Sequence, residues 1–366
     1  MTLYIRPTHY IDSPQQYDGK TERLAGTLLW FAHIEIIEKT NQDVRRISLP
    51  LDDWDEHIER YSDAQSARLN ILYQNLISPR EALSLGSKDT PKFIRFDQPH
   101  VMGILNITPD SFSDGGQYSA DESLGIDHGY AMASAGASLI DIGGESTRPG
   151  AKTLWEGDEA ARILPAIKAL AANMIVSVDT RKAGVMEQGL ANGAAIINDI
   201  SALGYDKRSL EVVRDNGAPL IIMHAPSQGD NPHENAQYED ILFDVFDWLE
   251  KRVLEIEAEG ISRSKIMIDP GIGFGKNLNE NIGLINKLSM FHAIGSPIVF
   301  GASRKRLIGA LANEEAADKR LGGSLLLAIK AIEQGAHIVR VHDVPETVQA
   351  IRVWRGMRDA ALTEKA

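Results

Sequence analysis

The sequence predicts an α/β protein: a (β/α)₈ barrel preceded by a small α+β N-terminal extension. Three observations predict it. From about His100 onward, eight short β-branched runs alternate with segments of helical period. Glycines at 136, 193, 217, 260, 295 and 335 each stand just before a run, where a left-handed C-cap lets the chain leave a helix and reverse. Polar and ionisable residues gather after the runs and apolar or glycine residues before them, which is the asymmetry of a barrel with one functional mouth.

Taken in order, residues 1–95 lack the repeat and form an extension. Apolar alternation around Ala25–Ile37 predicts strand, and Trp54 to Leu76 predicts one helix, with Ile58, Tyr61, Leu69, Leu72 and Tyr73 on its buried face. Gly86-Ser87-Lys88-Asp89-Thr90-Pro91 reads as a linker to a barrel spanning 96–366. The predicted barrel strands are Val101–Ile107, Leu139–Ile142, Ile175–Val178, Ala195–Ile200, Leu220–His224, Ile266–Ile268, Ile298–Phe300 and Ile338–Val341. Helices are expected at Leu124–Ala135, Glu159–Ala172, Ala183–Ala191, Ile241–Glu259, Glu280–Ile294, Leu321–Gln334 and Pro345–Met357. An open doubly wound sheet is the rival, but no Gly-x-Gly-x-x-Gly follows the first strand. The glycines at 271, 273 and 275 make neither that loop, since Lys276 stands where its third glycine belongs, nor a Walker A loop, since Pro270 opens the stretch and Asn277 follows the lysine.

Composition narrows the function. A net charge of -13 and a pI near 5.3 argue against a basic face for nucleic acid. With no cysteine there is no disulfide framework, thiolate metal site or thiol nucleophile. The first residues lack a basic segment followed by an apolar core, and the most apolar stretch, Leu28 to Ile37, is broken by His33 and Glu35, so a cytosolic protein with no membrane contact is expected.

The groups after the strands sort by what they can hold. Arg148, Arg340 and His342 suit an anionic, oxygen-rich group such as phosphate. Arg340 and His342, two apart, face the same side. Asn106 and Asp114 offer hard oxygen ligands for Mg²⁺ bridging a diphosphate. Asp179, Asn198 and Asp269 fit a flat heterocycle with amino and ring N–H donors, and Lys305 fits that ring's acceptors. His224 reads as a core histidine, Lys182 and Lys276 as solvated, Arg304 and Arg306 as surface charges, and Asp199, Asp343 and Thr180 as local caps. No nucleophile elbow or His-Glu-x-x-His appears.

Seven motifs then carry a resemblance. They are Asn106-Ile-Thr-Pro-Asp-Ser-Phe-Ser-Asp-Gly-Gly, Gly144-Glu-Ser-Thr-Arg-Pro-Gly, Ser177-Val-Asp-Thr, Asn198-Asp-Ile, Asp269-Pro-Gly-Ile-Gly-Phe-Gly-Lys, Gly301-Ala-Ser-Arg-Lys and Arg340-Val-His-Asp. Together, and in this order, the stretch of about 97–360 resembles the dihydropteroate synthases. The resemblance implies condensation of 6-hydroxymethyl-7,8-dihydropterin pyrophosphate with p-aminobenzoate, Mg²⁺ dependence, a homodimer, and competition by sulfonamides. It implies a pterin site of Asp179, Asn198, Asp269, Lys305 and Arg340 lined by Met223 and Phe274, and a diphosphate site of Asn106, Arg148, Arg340 and His342, with Asn106 acting through the metal. It also implies a p-aminobenzoate pocket of Phe112, Thr147, Pro149 and Ser303. Asp179, Lys305, Arg340, His342 and Asp114 are the expected catalytic groups. The segment Ala225-Pro226-Ser227-Gln228-Gly229 departs from the family's pattern, and no second folate-pathway motif occurs in the extension. Two other readings are a pterin-binding methyltransferase, which has no use for the diphosphate set, and an inactive scaffold barrel, which would have lost ligands.

Overall fold

Each β-branched run is extended, and each pairs in parallel with its neighbour. The computed structural model describes residues 1–366 other than 42, 87–90, 109–121, 147–149, 152 and 364–366, and the side chains of 122–124. The barrel strands are β7 (His100–Asn106), β8 (Leu139–Gly143), β9 (Ile175–Asp179), β10 (Ile196–Asp199), β11 (Leu220–Met223), β12 (Ile266–Asp269), β13 (Val299–Phe300) and β14 (Ile338–Val341). Their order is β12-β11-β10-β9-β8-β7-β14-β13. A parallel bridge from Ile268 to Ile298 joins the two ends, so the sheet closes into the predicted barrel.

The helices around it are α3 (Glu122–Ser134), α4 (Glu156–Ala171), α5 (Ala183–Ala191), α6 (Ser209–Asn216), α7 (Ile241–Ala258), α8 (Leu278–Asn286), α9 (Arg306–Leu311), α10 (Leu321–Ile332) and α11 (Val344–Thr363). All six of the glycines expected as stops have positive φ, between 62° and 108°. Two short helices escaped the periodicity reading, α6 and α9, because 8 and 6 residues hold too few turns to show a stripe. The helix expected over Glu280–Ile294 ends at Asn286 and gives way to a 3₁₀ stretch, Leu288–Ile294, buried at every residue. Burial on all sides fits the packing there, since the extension covers the outer side of that stretch.

The extension is a sheet of β1 (Thr2–Ile11), β2 (Glu22–Arg23), β3 (Trp30–Lys39) and β4 (Val44–Pro50), antiparallel and centred on β3. Instead of one helix over 54–76 there are two, α1 (Trp54–Ile58) and α2 (Asp63–Ile77). A capping box between Ser62 and Gln65 starts α2 afresh, which is why the pattern breaks there. Leu3, Tyr4 and Ile5 are all buried, because β1 packs against both α2 and the barrel's 3₁₀ stretch. Tyr4 Oη donates to Asp247 Oδ2 at 2.9 Å on α7, and Arg68 grips Glu250 at 2.7 Å.

The expected linker is instead part of a hairpin, β5 (Leu83–Gly86) paired antiparallel with β6 (Pro91–Ile94). Leu83, Leu85, Ile94 and Phe96 form one apolar cluster with Met102, Leu139, Ile175, Ile196, Ile221, Met267, Val299 and Ile338, one residue from each barrel strand. These eight lie at the N-terminal ends, so the hairpin plugs the foot of the barrel. Among the described residues no helix is long and apolar enough to cross a membrane.

Candidate active site

The plug fixes which side chains line the mouth. Side chains alternate along a strand, so the residues two or four after each foot residue also face the interior. Counting up from Met102, Leu139, Ile175, Ile196, Ile221, Met267, Val299 and Ile338 gives Asn106, Asp141, Asp179, Asn198, Met223, Asp269, Gly301 and Arg340. The mouth is thus a ring of amides, carboxylates and one guanidinium above an apolar floor.

Arg340 ties the ring together. Its Nε donates to Asp141 Oδ2 at 2.6 Å and its Nη2 to Asp179 Oδ2 at 2.7 Å. Asn198 Nδ2 donates to the same Asp141 oxygen at 3.0 Å. Burial opposes the charge of Arg340, but Asp141 and Asp179 outweigh it and hold its pKa above the ordinary value. Burial pushes Asp179 up to about 7, with Arg340 holding it back and Asp141 adding to the rise. Asp141 is fully buried, and its Oδ1 is an acceptor without a hydrogen-bond partner among the described residues.

Across the mouth, Asp269 Oδ1 accepts from the Gly271 N–H at 2.7 Å, and burial raises its pKa against the opposing pull of Lys305. Lys305 Nζ donates to the Ile272 carbonyl and stands 4.7 Å from the centre of the Phe274 ring. Burial brings its pKa down to about 8, opposed by Asp269. Gly301 keeps the wall thin between these groups: a Cβ there would lie 3.6 Å from Asp269 Oδ2 and 3.8 Å from Arg340 Cβ. Met223 is buried with Ile200, Ala225 and the edge of Phe274.

His342 and Ser303 pair at 3.0 Å, Nδ1 to Oγ, and the His342 N–H donates to the same oxygen at 3.2 Å. Burial, with Arg340 and Arg304 adding to it, lowers His342 to about 4, so its ring is neutral at pH 7. Ser303 Oγ can give its proton to Nδ1 or accept one from it, according to the tautomer of the neutral ring. Asn106 ends β7 opposite Gly143, and its side-chain amide has no hydrogen bond among the described residues.

Three comparisons bear on this site. The family described as "Pterin binding enzyme" matches residues 102–342. A dihydropteroate synthase of Escherichia coli (strain K12) is 44% identical over 257 residues, covering 70% of this chain and 90% of that protein. The chain belongs to the dihydropteroate synthase family. Two solved dihydropteroate synthases from Xanthomonas albilineans agree. The one with 4-aminobenzoic acid has a TM-score of 0.68 at 40% identity, covering 73% of this chain and 95% of its own. The one in complex with 7,8-dihydropteroate has a TM-score of 0.66 at 37% identity, covering 73% and 96%. As a member of the dihydropteroate synthases the chain is a transferase, joining 6-hydroxymethyl-7,8-dihydropterin pyrophosphate to p-aminobenzoate with release of pyrophosphate.

Of the residues expected for a dihydropteroate synthase site, the structure brings Asp179, Asn198, Met223, Asp269, Phe274, Ser303, Lys305, Arg340, His342 and Asn106 to one mouth. Phe112, Asp114, Thr147, Arg148 and Pro149 lie outside the described residues. Asp141 was missed. The signal was present, since it stands two residues after Leu139 in a run with no other polar residue, as Arg340 stands two after Ile338.

Several bland readings change. Lys182 is not solvated: its Nζ reaches Glu145 at 2.9 Å and Glu159 at 2.6 Å, all three buried. Arg181 joins the same Glu145 at 3.0 Å, so two cations offset two carboxylates beside the mouth. Lys276 is buried too, its Nζ donating to the carbonyls of Gly271, Phe274 and His224 at 2.9, 3.1 and 3.2 Å, and burial lowers it to about 7. Arg304 pairs with Asp343, an alignment that no local pattern announces at 39 residues' separation. His224 is a core histidine as expected, edge-on to Trp248, although its Nδ1 has no partner among the described residues. Asp199 serves its own turn, accepting from Ser201 and Leu203 N–H groups.

Proposed function

We propose that the ring of acceptors at this mouth holds the pterin and that the cations and N–H donors above it draw off the diphosphate. Asp141, Asp179, Asn198 and Asp269 take the ring's amino and N–H donors, and Lys305 donates to its carbonyl and nitrogen acceptors. Met223 and Phe274 lie against its faces. The observation that carries this reading is the sharing of one guanidinium by a buried and a half-buried carboxylate, with an asparagine on an oxygen of the buried one: Arg340, Asp141, Asp179 and Asn198 are locked in place before any ligand arrives.

The rest of Arg340, the His342 ring and Arg148 receive the diphosphate. Asn106 fits a role as a protein ligand to Mg²⁺, because its side chain offers a hard oxygen that has no hydrogen bond among the described residues. Mg²⁺ commonly takes one or two protein oxygens and fills its other positions with water and substrate phosphates. When bound, such an ion neutralises charge on the leaving group. As the bond from the exocyclic methylene to the diphosphate oxygen lengthens, positive charge builds on the methylene and the nearby Asp179 carboxylate stabilises it. The p-aminobenzoate nitrogen then attacks, held by Ser303 with Phe112, Thr147 and Pro149, and Asp114 completes the catalytic set. Sulfonamides compete for the same pocket.

A homodimer is part of the proposal. Leu326 on α10 and Val353 and Met357 on α11 put large apolar side chains in solvent on adjacent outer helices. A cytosolic location is likewise proposed. The deciding experiment is pyrophosphate release from the two substrates with and without Mg²⁺, joined to calorimetry on two variants. Arg340→Ala is expected to weaken both the pterin substrate and free pyrophosphate, whereas Lys305→Ala weakens the pterin alone. Wild-type affinities in either variant refute its assigned role.

A further inference from the structure

The loop after β11 departs from the family's usual sequence and has no part in the site as described so far, yet it is built tightly against the glycine loop after β12. Gly275 donates its backbone N–H to His233 Nδ1 at 3.2 Å. At φ 56° Gly275 is left-handed, and a Cβ there would collide with Pro226 and meet Ala236 at 3.2 Å, so the two loops run against each other without a gap. The His233 imidazole lies nearly parallel to the Phe274 ring, with centroids 5.2 Å apart and planes 6° apart. That same phenyl ring stands under the Lys305 ammonium, 4.7 Å from its centre.

These contacts form a chain. A phenylalanine at the rim of an open site has several staggered positions available unless something packs on it. The hydrogen bond from Gly275 fixes where the imidazole sits, the offset stack fixes the phenyl ring, and the ring supports the ammonium. We propose that His233 is a positioning residue for pterin binding, which acts from the loop after β11 by holding the Phe274 ring where it meets the substrate and Lys305. The inference rests on the reading that Phe274 and Lys305 contact the pterin.

The test uses the full-length enzyme and four variants: His233→Ala, His233→Phe, Phe274→Ala and the double variant of His233→Ala with Phe274→Ala. His233→Ala is expected to raise the Kd and KM for pterin pyrophosphate about three- to tenfold, with kcat changed less than about twofold. His233→Phe keeps a ring to stack and is expected to bind within about twofold of wild type. The double variant is expected to bind no more weakly than Phe274→Ala alone, because the histidine acts through that ring. Losses that multiply in the double variant overturn the inference, as does a folded His233→Phe that binds as poorly as His233→Ala. Should His233→Ala fail to fold, a folded His233→Leu, which removes the aromatic ring and keeps bulk, takes its place in each comparison. If Phe274→Ala and Lys305→Ala both bind the pterin as wild type does, the underlying reading has failed. If they weaken binding and His233→Ala does not, only the role of His233 has.

Discussion

Asp141 and Asp179 share one guanidinium, yet burial outweighs its pull on Asp179 and makes the mouth sensitive to protons near neutral pH. Asp179 titrates near 7 and Lys305 near 8. Ionised Asp179 is the stronger acceptor for a pterin N–H, so binding below pH 7 is expected to expel a proton from Asp179, and affinity rises as pH climbs toward 7. Above pH 8 Lys305 loses the proton with which it donates, so binding must take one up and affinity falls. Calorimetry in buffers of different ionisation enthalpy is expected to show proton release at pH 6 and uptake at pH 9. A binding enthalpy independent of buffer at both ends would refute the assignment. Asp141→Asn tests the shared oxygen directly. Its loss is expected to weaken pterin binding about 10- to 100-fold, or about 1.4–2.8 kcal/mol. The identities of most mouth residues were legible in the sequence, because strand-end polar residues stand out against β-branched runs. Asp141 was hidden inside its run, and the partners of Lys182, Lys276 and Arg304 were hidden by chain separation, since a side chain's burial depends on loops that local pattern does not describe.

At the scale of elements, the eight strands were legible to within one or two residues at nearly every boundary, because a continuous apolar run between polar stretches has few other uses. The hairpin of β5 and β6 was not, since the polar stretch from Gly86 to Pro91 reads equally as linker or turn, and only the pairing of the flanking strands and the cluster at the foot distinguish them. Leu85 is 5% exposed and sits among foot residues of the barrel. Leu85→Ala is expected to cost about 2–5 kcal/mol of stability. The measurement is a urea midpoint, and the pterin affinity of the folded fraction is expected to stay at the wild-type value, because the plug touches no ligand. A midpoint equal to wild type would mean the hairpin is dispensable. The helices α6 and α9 and the division of Glu280–Ile294 show the complementary limit: helical period speaks clearly only over three turns or more.

Across the whole molecule, the extension is welded to the barrel. Besides β1, Arg80 donates to the carbonyls of Asn75 and His292 at 2.8 and 2.9 Å, and Arg358 near the end of α11 donates to the carbonyls of Leu28 and Ile11 at 2.9 and 2.7 Å. A truncation beginning near Lys92 would remove β1, α2 and β5 together and uncover Phe243, Phe246 and the 3₁₀ stretch. It is expected to aggregate, and a monodisperse, active truncation would show the extension to be separable. Three histidines, His100, His292 and His337, are buried at this junction beside Arg80. Burial holds all three below their ordinary pKa, His292 at about 3, with Arg80 adding to the effect at His292 and His337. The unfolded chain therefore binds protons that the folded one refuses. Stability is whole above pH 6.5 and falls as pH drops below it, by about 1.4 kcal/mol per unit for each histidine still neutral in the fold. Urea midpoints are expected to decline steeply between pH 6.5 and 4.5, and less so in His292→Asn.

Because the hairpin stoppers the lumen, this barrel is a cul-de-sac. Traffic has one doorway, so on the proposed reading, in which the pterin takes the deeper place, the heterocycle is expected to arrive before its co-substrate.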